Sequence, residues 1–446
     1  LIGNPDVEGI MVALAPAVFF VAVSAVIRGY FNGMYNMKVA SNSQMLEQLF
    51  KSVLTIGLVV LVYFLAIVNP TTISEKLNLS VETVTVSMAI AANAASTIAT
   101  AICCGYLLLY YQRVKKDIWK NIRESKEVYK KEKRTNIMKK ILAVSIPISL
   151  ASIVSAINRN IDTFTVMNGL KIALQGAFDS MDMIVSEATR LYGILSGRVD
   201  TLIGLPTALN VAFATALVPA VSEAMASGDT KTAKRRITFS IRTTLLIALP
   251  CAIGMCVLAE PILNLLFPNV HAVEAPLLLQ ISSFTIIFTL LNQTIAGALQ
   301  GIGKVLVPAI SLACGAVIKL VLNLILLQIP VLNVYGAAIG SIACHAVAFT
   351  IVFNVLKKYV KLDLPFKKFV LKPALATGIM GVCSYTIYLL LERINFGNKA
   401  TIISIILAVI IYLGAVVSLK IYNKEDIYML PKGDKIYRIL EKLKIY

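Results

Sequence analysis

Charged residues are scarce in this sequence of 446 residues, because Asp, Glu, Lys and Arg together make up only 15% of it. Hydrophobic residues make up 58%, and the mean hydropathy is +0.79, whereas a soluble domain carries about 25% charged residues. Histidine occurs only twice, and all seven cysteines lie in apolar runs, where cysteine acts as a small hydrophobe. The composition excludes an ordinary soluble domain, and the spacing predicts neither a disulfide framework nor a zinc site.

Long apolar runs recur through the whole chain, and each is long enough to cross about 30 Å of hydrocarbon as a helix. The runs are continuous in Leu, Ile, Val and Ala, whereas the strands of a membrane barrel are short and alternate with polar residues. The sequence therefore predicts an all-α polytopic membrane protein with eleven spans. The predicted spans are 9–34, 38–69, 83–111, 140–166, 191–224, 238–267, 274–299, 305–329, 334–356, 369–391 and 400–420.

The formal net charge of +18 is concentrated in a few loops. Residues 112–140 alone carry twelve Lys and Arg residues against four acids. If each run crosses once, the basic loops share one side, so the positive-inside rule predicts a cytoplasmic C-terminus. We expect these loops to contact anionic membrane lipids and not nucleic acid. The other basic clusters are Lys231, Lys234, Arg235 and Arg236; Lys357, Lys358, Lys361, Lys367 and Lys368; and the tail from Lys420.

The stretch after the first apolar run is repeated later in the chain. A shift of 268 residues places Gly29 on Gly297 and Lys51 on Lys319 without a gap. The shared Gly-x-x-x-Gly motif predicts close helix packing. The matched helices are the first and the seventh, which predicts a parallel repeat of six helices. Because the sequence opens at Leu1 without a signal peptide, we expect three further helices upstream and fourteen spans in all, arranged as six, six and two.

This repeat divides the chain into five predicted segments. A six-helix lobe at 140–358 is complete, and the part at 1–112 is the second half of its partner lobe. The other segments are a basic cytoplasmic linker at 113–139, two additional helices at 369–420 and a basic cytoplasmic tail at 421–446.

Two polar motifs connect the chain to a known family. Arg28-Gly-Tyr-Phe-Asn-Gly, followed by Ser43-Gln-Met-Leu-Glu-Gln, resembles the signature of the polysaccharide-transporter branch of the multidrug/oligosaccharidyl-lipid/polysaccharide (MOP) flippase superfamily, which includes the lipid II flippases. The resemblance implies two six-helix lobes around a central cavity, with two extra helices. It also implies alternating-access transport of an undecaprenyl pyrophosphate carrying a cell-wall sugar, either lipid II or a related polysaccharide precursor. The transporter would be a monomer that is not an enzyme and needs no cofactor. Further agreement comes from Leu191-Tyr-Gly-Ile-Leu-Ser-Gly, Leu205-Pro-Thr-Ala-Leu-Asn-Val and Tyr335-Gly-Ala-Ala-Ile-Gly.

The residues alone leave other functions open. A multidrug or cation exporter of the same superfamily would favour acidic and aromatic residues in its cavity, whereas the deep charges here lean towards the cationic side. A membrane-embedded glycan enzyme would need clustered acids or histidines in an interfacial loop, and the loop at 169–190 carries three acids but no histidine. A scaffold without transport activity is a third alternative.

Ionisable residues inside the spans are costly to bury in lipid, so each is a candidate site residue. Arg28 lies near the cytoplasmic end of the first span, as a snorkelling anchor or as a phosphate-binding residue at the inward mouth of a cavity. Lys51 and Lys319 lie about 20 Å into their helices, and each is either a substrate-binding or a structural residue. Glu47 precedes Lys51 by one turn and is its expected partner. Lys319 lacks such a partner and is expected to face water or an anion.

Four further charges lie on the fourth and fifth spans. Arg159 and Asp162 are expected near the outer end of the fourth span, and Arg198 and Asp200 in the outer half of the fifth. Because adjacent spans run in opposite directions, we expect salt bridges among these four side chains, with substrate binding as the alternative for the two arginines.

Sodium coupling is a further implication of the resemblance. Some members of the group bind sodium through an aspartate on the helix that matches the fourth span and an Asn-x-x-x-Asp pair on the helix that matches the eighth. Asp162 and Asn323 correspond to the first two ligands, but Leu327 stands where the second acid is expected. One carboxylate and one amide provide too few oxygen ligands for a hard cation, which usually takes several. Membrane potential and protons are therefore also open as driving forces.

Overall fold

The computed structural model is built almost entirely of helices over the residues that it describes. Those residues are 5–34, 36–65, 81–124, 133–175, 178, 180–268, 272–360, 362, 365, 367–394, 396–428 and 433–442. The α-helices are α1 Pro5–Gly33, α2 Met37–Tyr63, α3 Val81–Glu124, α4 Arg134–Ala173, α5 Met181–Gly193, α6 Asp200–Ala226, α7 Thr230–Val257, α8 Ala259–Leu266, α9 Glu274–Ser283, α10 Thr285–Gly301, α11 Leu306–Leu326, α12 Tyr335–Val360, α13 Lys372–Arg393, α14 Asn398–Ser418, α15 Lys424–Tyr428 and α16 Gly433–Lys442. Two π-helical segments are π1 Ile194–Val199 and π2 Lys367–Leu371.

Eleven helical segments within these ranges are long and apolar enough to cross a membrane. This confirms the predicted all-α membrane fold. Several spans are longer than predicted, among them Val84–Lys120, Arg134–Ala173 and Met181–Ala226, the last because α5, π1 and α6 run continuously. The only strand-like pairing among the described residues is an isolated bridge between Gln175 and Phe178.

The chain separates into two compact units, Leu1–Lys131 and Glu132–Tyr446. The boundary lies in the predicted linker at 113–139, and helical structure enters that linker from both sides through α3 and α4. In unit 1, α1 and α2 both pack along α3 and contact each other less. The unit 1 core consists of the buried residues Phe31, Val39, Cys103 and Leu107.

Unit 2 contains the other eight spans. Its centre is the packing of α11 against α12 and α4, and of α10 against α6, α7 and α12. The last two spans, α13 and α14, pack on each other, and α13 also packs on α7. Tyr412 on α14 donates a hydrogen bond to the backbone carbonyl of Leu246 on α7, at 2.8 Å. This bond gives the buried Tyr412 hydroxyl an acceptor, which a polar group in an apolar interior requires.

Helices α11 and α12 pack closely because small residues face each other. A Cβ atom added to Gly315 would meet the backbone carbonyl of Cys344, and one added to Gly340 would meet Oδ1 of Asn323. Small residues let helix backbones approach closely in membranes, where apolar side chains gain little from leaving lipid. These two glycines therefore set the distance between α11 and α12 beside the polar residues described below.

The repeated Gly-x-x-x-Gly motif packs in only one of its two copies. A Cβ on Gly301 would lie 2.8 Å from Cβ of Val221, so α10 packs closely on α6. Among the described residues, no atom comes within 4 Å of a Cβ on Gly29 or Gly33. The prediction that the first copy is closely packed is therefore wrong for this structure.

Side-chain caps begin two of the unit 2 helices. Ser180 accepts a hydrogen bond from the backbone N–H of Met183 at the start of α5, at 3.3 Å. Asp229 accepts one from the backbone N–H of Thr232 at the start of α7, at 2.9 Å, and a second from the Thr232 hydroxyl, at 2.6 Å. The bonds from Thr232 lower the pKa of the Asp229 carboxyl. Each cap satisfies an N–H group that a helix start leaves without a partner.

The segment after α14, predicted as a basic cytoplasmic tail, docks against α7. Asp426 on α15 forms an ion pair with Arg242 on α7, and only 14% and 8% of these side chains are exposed. The Arg242 guanidinium also lies over the ring of Phe369, 4.6 Å from its centroid. Tyr422 donates a hydrogen bond to the Thr243 hydroxyl at 3.2 Å, and burial raises the pKa of Tyr422. These contacts fix the start of the tail on unit 2.

Candidate functional site

A buried cluster of polar side chains joins α4 to α11 in unit 2. The ammonium of Lys319 lies 2.5 Å from Oδ2 of Asp162. Asn323 donates through Nδ2 to Oδ1 of Asp162 at 3.2 Å and to the Thr165 hydroxyl at 2.9 Å. We call Asp162, Thr165, Lys319 and Asn323 the Asp162 cluster. The bonds link one carboxylate, one ammonium, one amide and one hydroxyl.

Helical spacing brings these four side chains together. Lys319 and Asn323 are four residues apart on α11, and Asp162 and Thr165 are three apart on α4, so each pair shares one face of its helix. That face of α11 is buried, and 5% of the Lys319 side chain is exposed, against 18% for Asp162. The buried residues of α11 are Ala309, Ser311, Gly315, Ala316, Lys319 and Asn323.

Two predictions about the Asp162 cluster are wrong. Lys319 was expected to face water or an anion, with a structural role as the alternative, and it pairs with Asp162 inside the protein. Asp162 was expected to pair across α4 and the fifth span, but its partner comes from α11. The order of the spans along the chain favoured pairing with the fifth span, whereas the packing of α4 on α11 brings in a residue 157 positions away.

Arg159, one turn before Asp162 on α4, lines an open groove. The side chain is exposed and has no ion-pair partner among the described residues. Helix α4 continues about 21 Å beyond Arg159, so this residue is not at the end of its helix. The groove has a volume of about 470 Å³ and lies between α4, α10 and α11. Its other polar lining residues are Ser152, Ser155 and Gln300, and its apolar ones include Ile148, Pro308 and Leu312.

Arg198 lies on π1 and has a different environment. Its guanidinium carbon is 5.5 Å from the centroid of the Phe267 ring, a cation–π distance. It lines a cavity of about 810 Å³ together with Glu260, Asn264 and Gln280. The expected salt bridge between the fifth span and α4 is therefore absent among the described residues, and Asp200 is exposed.

The motif residues of unit 1 bind one another. Arg28 donates through Nη2 to Glu47 at 2.6 Å and through Nε to the Ser43 hydroxyl at 2.8 Å. The thiol of Cys103 on α3 lies 3.1 Å from Nη2 of Arg28 and donates to the backbone carbonyl of Ser43. The Arg-Gly-Tyr-Phe and Ser-Gln-x-x-Glu motifs therefore join α1, α2 and α3.

This arrangement corrects the partner predicted for Glu47. The carboxylate pairs with Arg28 of the preceding helix, and Lys51, one turn later, has an exposed side chain without a partner among the described residues. Arg28 is 17% exposed in this ion pair, so it is a partner of Glu47 rather than a free headgroup anchor.

Two known protein families match this chain, one over its N-terminal half and one over its C-terminal half. Residues 1–225 match the family described as Polysaccharide biosynthesis protein, and residues 198–422 match the family described as Lipid II flippase MurJ. Each match covers about half of the chain. The chain belongs to the polysaccharide and lipid II branch of the MOP flippase superfamily.

Individual relatives agree with this assignment. This chain is 27% identical to the uncharacterized membrane protein YabM of Bacillus subtilis, over 94% of this chain and 73% of that protein. It is 22% identical to Stage V sporulation protein B of the same organism, over 88% of this chain and 68% of that protein. A solved structure of the lipid II flippase MurJ in an inward closed conformation has the same fold, with a TM-score of 0.56. The identity is 17%, and the match covers 91% of this chain and 72% of that one.

The Asp162 cluster does not fit the sodium site that the resemblance implies. The Lys319 ammonium already neutralises the Asp162 carboxylate, and Asn323 directs its N–H donors at that carboxylate and at Thr165. A cation would need oxygen ligands there. Among the described residues, no group of three or more His, Cys, Asp or Glu side chains could hold a metal ion. We therefore derive no transport step from sodium at Asp162.

Sequence reasoning missed several residues of these sites. Thr165 was not selected, although its spacing of three residues after Asp162 places it on the same helix face. The sequence marks Ser43 only as part of a motif and Cys103 only as a small hydrophobe. Gly340 carries no charge, so nothing in the pattern connected it to Asn323, which it contacts.

Proposed function

We propose that this protein is a flippase that moves an undecaprenyl pyrophosphate carrying a cell-wall sugar across the bacterial plasma membrane by alternating access. The substrate class is lipid II or a related polysaccharide precursor. The family and the fold support the flippase role, and the charges within the spans support an anionic lipid-linked substrate. The C-terminus is cytoplasmic in this proposal, as the distribution of basic loops predicts.

The observation that carries the proposal is the accessible Arg159. An arginine without an ion-pair partner at membrane depth is costly unless it faces water or an anion. Its planar guanidinium can bind a phosphate with two parallel hydrogen bonds. In the same groove, two serines and a glutamine can hydrogen-bond sugar hydroxyls, and the apolar residues can contact a lipid chain.

The charge balance weighs against the multidrug or cation exporter. Such a transporter would use acids in its cavity, but Glu47 and Asp162 are each paired with a cation of the protein itself. Arg159 and Lys51 are exposed and lack an acidic partner among the described residues. An anionic substrate fits this balance better than a cationic drug.

Replacement of Arg159 in a complementation assay tests this proposal. A bacterium depleted of its own lipid II flippase should grow when it carries the full-length wild-type gene. Arg159→Ala should lower transport about ten- to hundredfold, because a hydrogen bond to a charged group contributes about 1.5–3 kcal/mol. Growth rate and accumulation of the precursor in the inner leaflet measure the effect.

Two control variants separate charge from protein quantity. Arg159→Lys keeps the charge but loses the planar donor pair, and it should support intermediate growth. Arg113→Ala removes an exposed arginine of α3 outside the groove, and it should grow as the wild type does. The proposal would be contradicted if the wild-type protein reached the membrane without restoring growth, or if Arg159→Ala restored growth fully.

A further inference from the structure

The Asp162 cluster collects oxygen atoms of the kind that bind small hard cations. The Asp162 carboxylate and the Thr165 hydroxyl both face the Asn323 amide. The amide oxygen Oδ1 of Asn323 is buried and has no hydrogen-bond partner among the described residues. This oxygen lies beside Gly340, whereas the N–H donors of the same amide face the Asp162 carboxylate. The amide therefore presents donors, and no oxygen ligand, to a cation at Asp162.

A cation is already present in the Asp162 cluster, as part of the chain. The Lys319 ammonium lies 2.5 Å from Oδ2 of Asp162, and 5% of the Lys319 side chain is exposed. Its hydrocarbon stem packs beside Gly340, where Cγ of Lys319 would lie 3.6 Å from an added Cβ. The ammonium is therefore held against the carboxylate by a packed stem.

The Asp162 carboxylate depends on the Lys319 ammonium for its counter-charge, because no other cation pairs with it among the described residues. If the ammonium were removed, the uncompensated carboxylate, with 18% of its side chain exposed, would attract a monovalent cation from solution.

We propose that the Lys319 ammonium takes the place of a mobile monovalent cation in the Asp162 cluster, so that this chain carries its own counter-ion and does not bind sodium there. The contact between α4 and α11 then forms without an ion from solution. The inference goes beyond the proposed function and does not rest on it, because it concerns ion binding and not the identity of the transported lipid.

Ion-dependent thermal stability of the purified full-length protein tests this inference. The melting temperature is measured by size-exclusion chromatography after heating, in sodium chloride and in choline chloride of equal ionic strength. The wild-type protein should melt at the same temperature in both salts. Lys319→Met keeps an unbranched side chain but removes the charge. Its melting temperature in sodium should rise by roughly 1–2 °C when sodium is about fivefold above its dissociation constant, and the rise should saturate.

Three control variants assign the effect to the charge at this position. Lys319→Arg keeps a cation beside Asp162 and should stay insensitive to sodium. The double variant Lys319→Met/Asp162→Asn has no charge to neutralise and should also be insensitive. Lys51→Met removes the exposed lysine that the internal repeat matches to Lys319, and it should melt equally in both salts.

Three results would overturn the inference. One is a wild-type protein that sodium stabilises more than choline does. Another is a folded Lys319→Met protein that responds equally to both salts. The last is a failure of both Lys319→Met and Lys319→Gln to give folded protein in sodium, because sodium should replace the missing ammonium. None of these results depends on transport, so they leave the proposed substrate class untouched.

Discussion

Neutralising Asp162 alone should destabilise unit 2 by about 3–5 kcal/mol, because removing one partner of a buried ion pair leaves the other charge without compensation. In Asp162→Asn, the Lys319 ammonium keeps its buried position and loses its counter-charge. The variant that removes the other partner, Lys319→Met, should lower the free energy of unfolding by a similar amount when no small cation is present to replace the ammonium. The free energy of unfolding is measured in mixed micelles containing choline chloride, with helicity followed by circular dichroism.

The double variant gives the decisive comparison. Lys319→Met/Asp162→Asn removes both charges, so it should be more stable than either single variant, which identifies a direct coupling between the two residues. Tryptophan fluorescence is a poor probe for this experiment, because the single tryptophan, Trp119, belongs to unit 1. Additive losses in the double variant would contradict the buried pair and would instead indicate two independent sites.

Adding a methyl group at Gly340 should also lower the free energy of unfolding by several kcal/mol, although it changes no charge. The added Cβ would meet Oδ1 of Asn323, and overpacking of a close contact typically costs about 1–3 kcal/mol. Asn323 can move away only by giving up its hydrogen bonds to Asp162 and Thr165. Each bond lost to a buried partner adds about 1–3 kcal/mol. The melting temperature of Gly340→Ala measures the combined effect.

Gly378→Ala is the matched control for this substitution. Gly378 lies inside α13, and no atom comes within 4 Å of a Cβ placed there. Alanine has the higher helix propensity, by about 1 kcal/mol, so Gly378→Ala should be neutral or slightly stabilising. Equal melting temperatures for Gly340→Ala and Gly378→Ala would mean that the close approach of α11 and α12 is not needed for stability.

The sequence predicted the spans well, because each apolar run carries its own signal of length and composition. All eleven predicted runs correspond to helical segments that could cross a membrane. Intramembrane charge also identified Lys319, Asp162 and Glu47 as residues that need an explanation. Both kinds of signal are local, since they depend on residues within one helix.

The partners of those charges could not be predicted, because they depend on which helices pack together. Glu47 pairs with Arg28 on the preceding helix rather than with Lys51 one turn away, and Lys319 pairs with a residue 157 positions distant. The internal repeat was misleading at this level of detail. It matched Lys51 with Lys319, but the first is exposed and the second is buried in an ion pair.

The role inferred for Arg159 also depends on which helices pack together. The sequence indicated a salt bridge between α4 and the fifth span, which would have made this arginine structural. Once Asp162 is taken by Lys319, Arg159 is left facing a groove with hydroxyl, amide and apolar groups. The sequence left the same two roles, salt bridge or substrate binding, open for Arg159 and Arg198. The structure favours Arg159 as the candidate for substrate contact.

The most direct test of this account is transport by the purified full-length protein in proteoliposomes. A fluorescent undecaprenyl pyrophosphate-linked sugar is placed in one leaflet, and the arrival of its headgroup in the other is followed with a membrane-impermeant quencher. The account predicts rapid transfer by the wild-type protein and transfer about ten- to hundredfold slower by Arg159→Ala. If wild-type vesicles moved the headgroup no faster than vesicles without protein, the account would be contradicted.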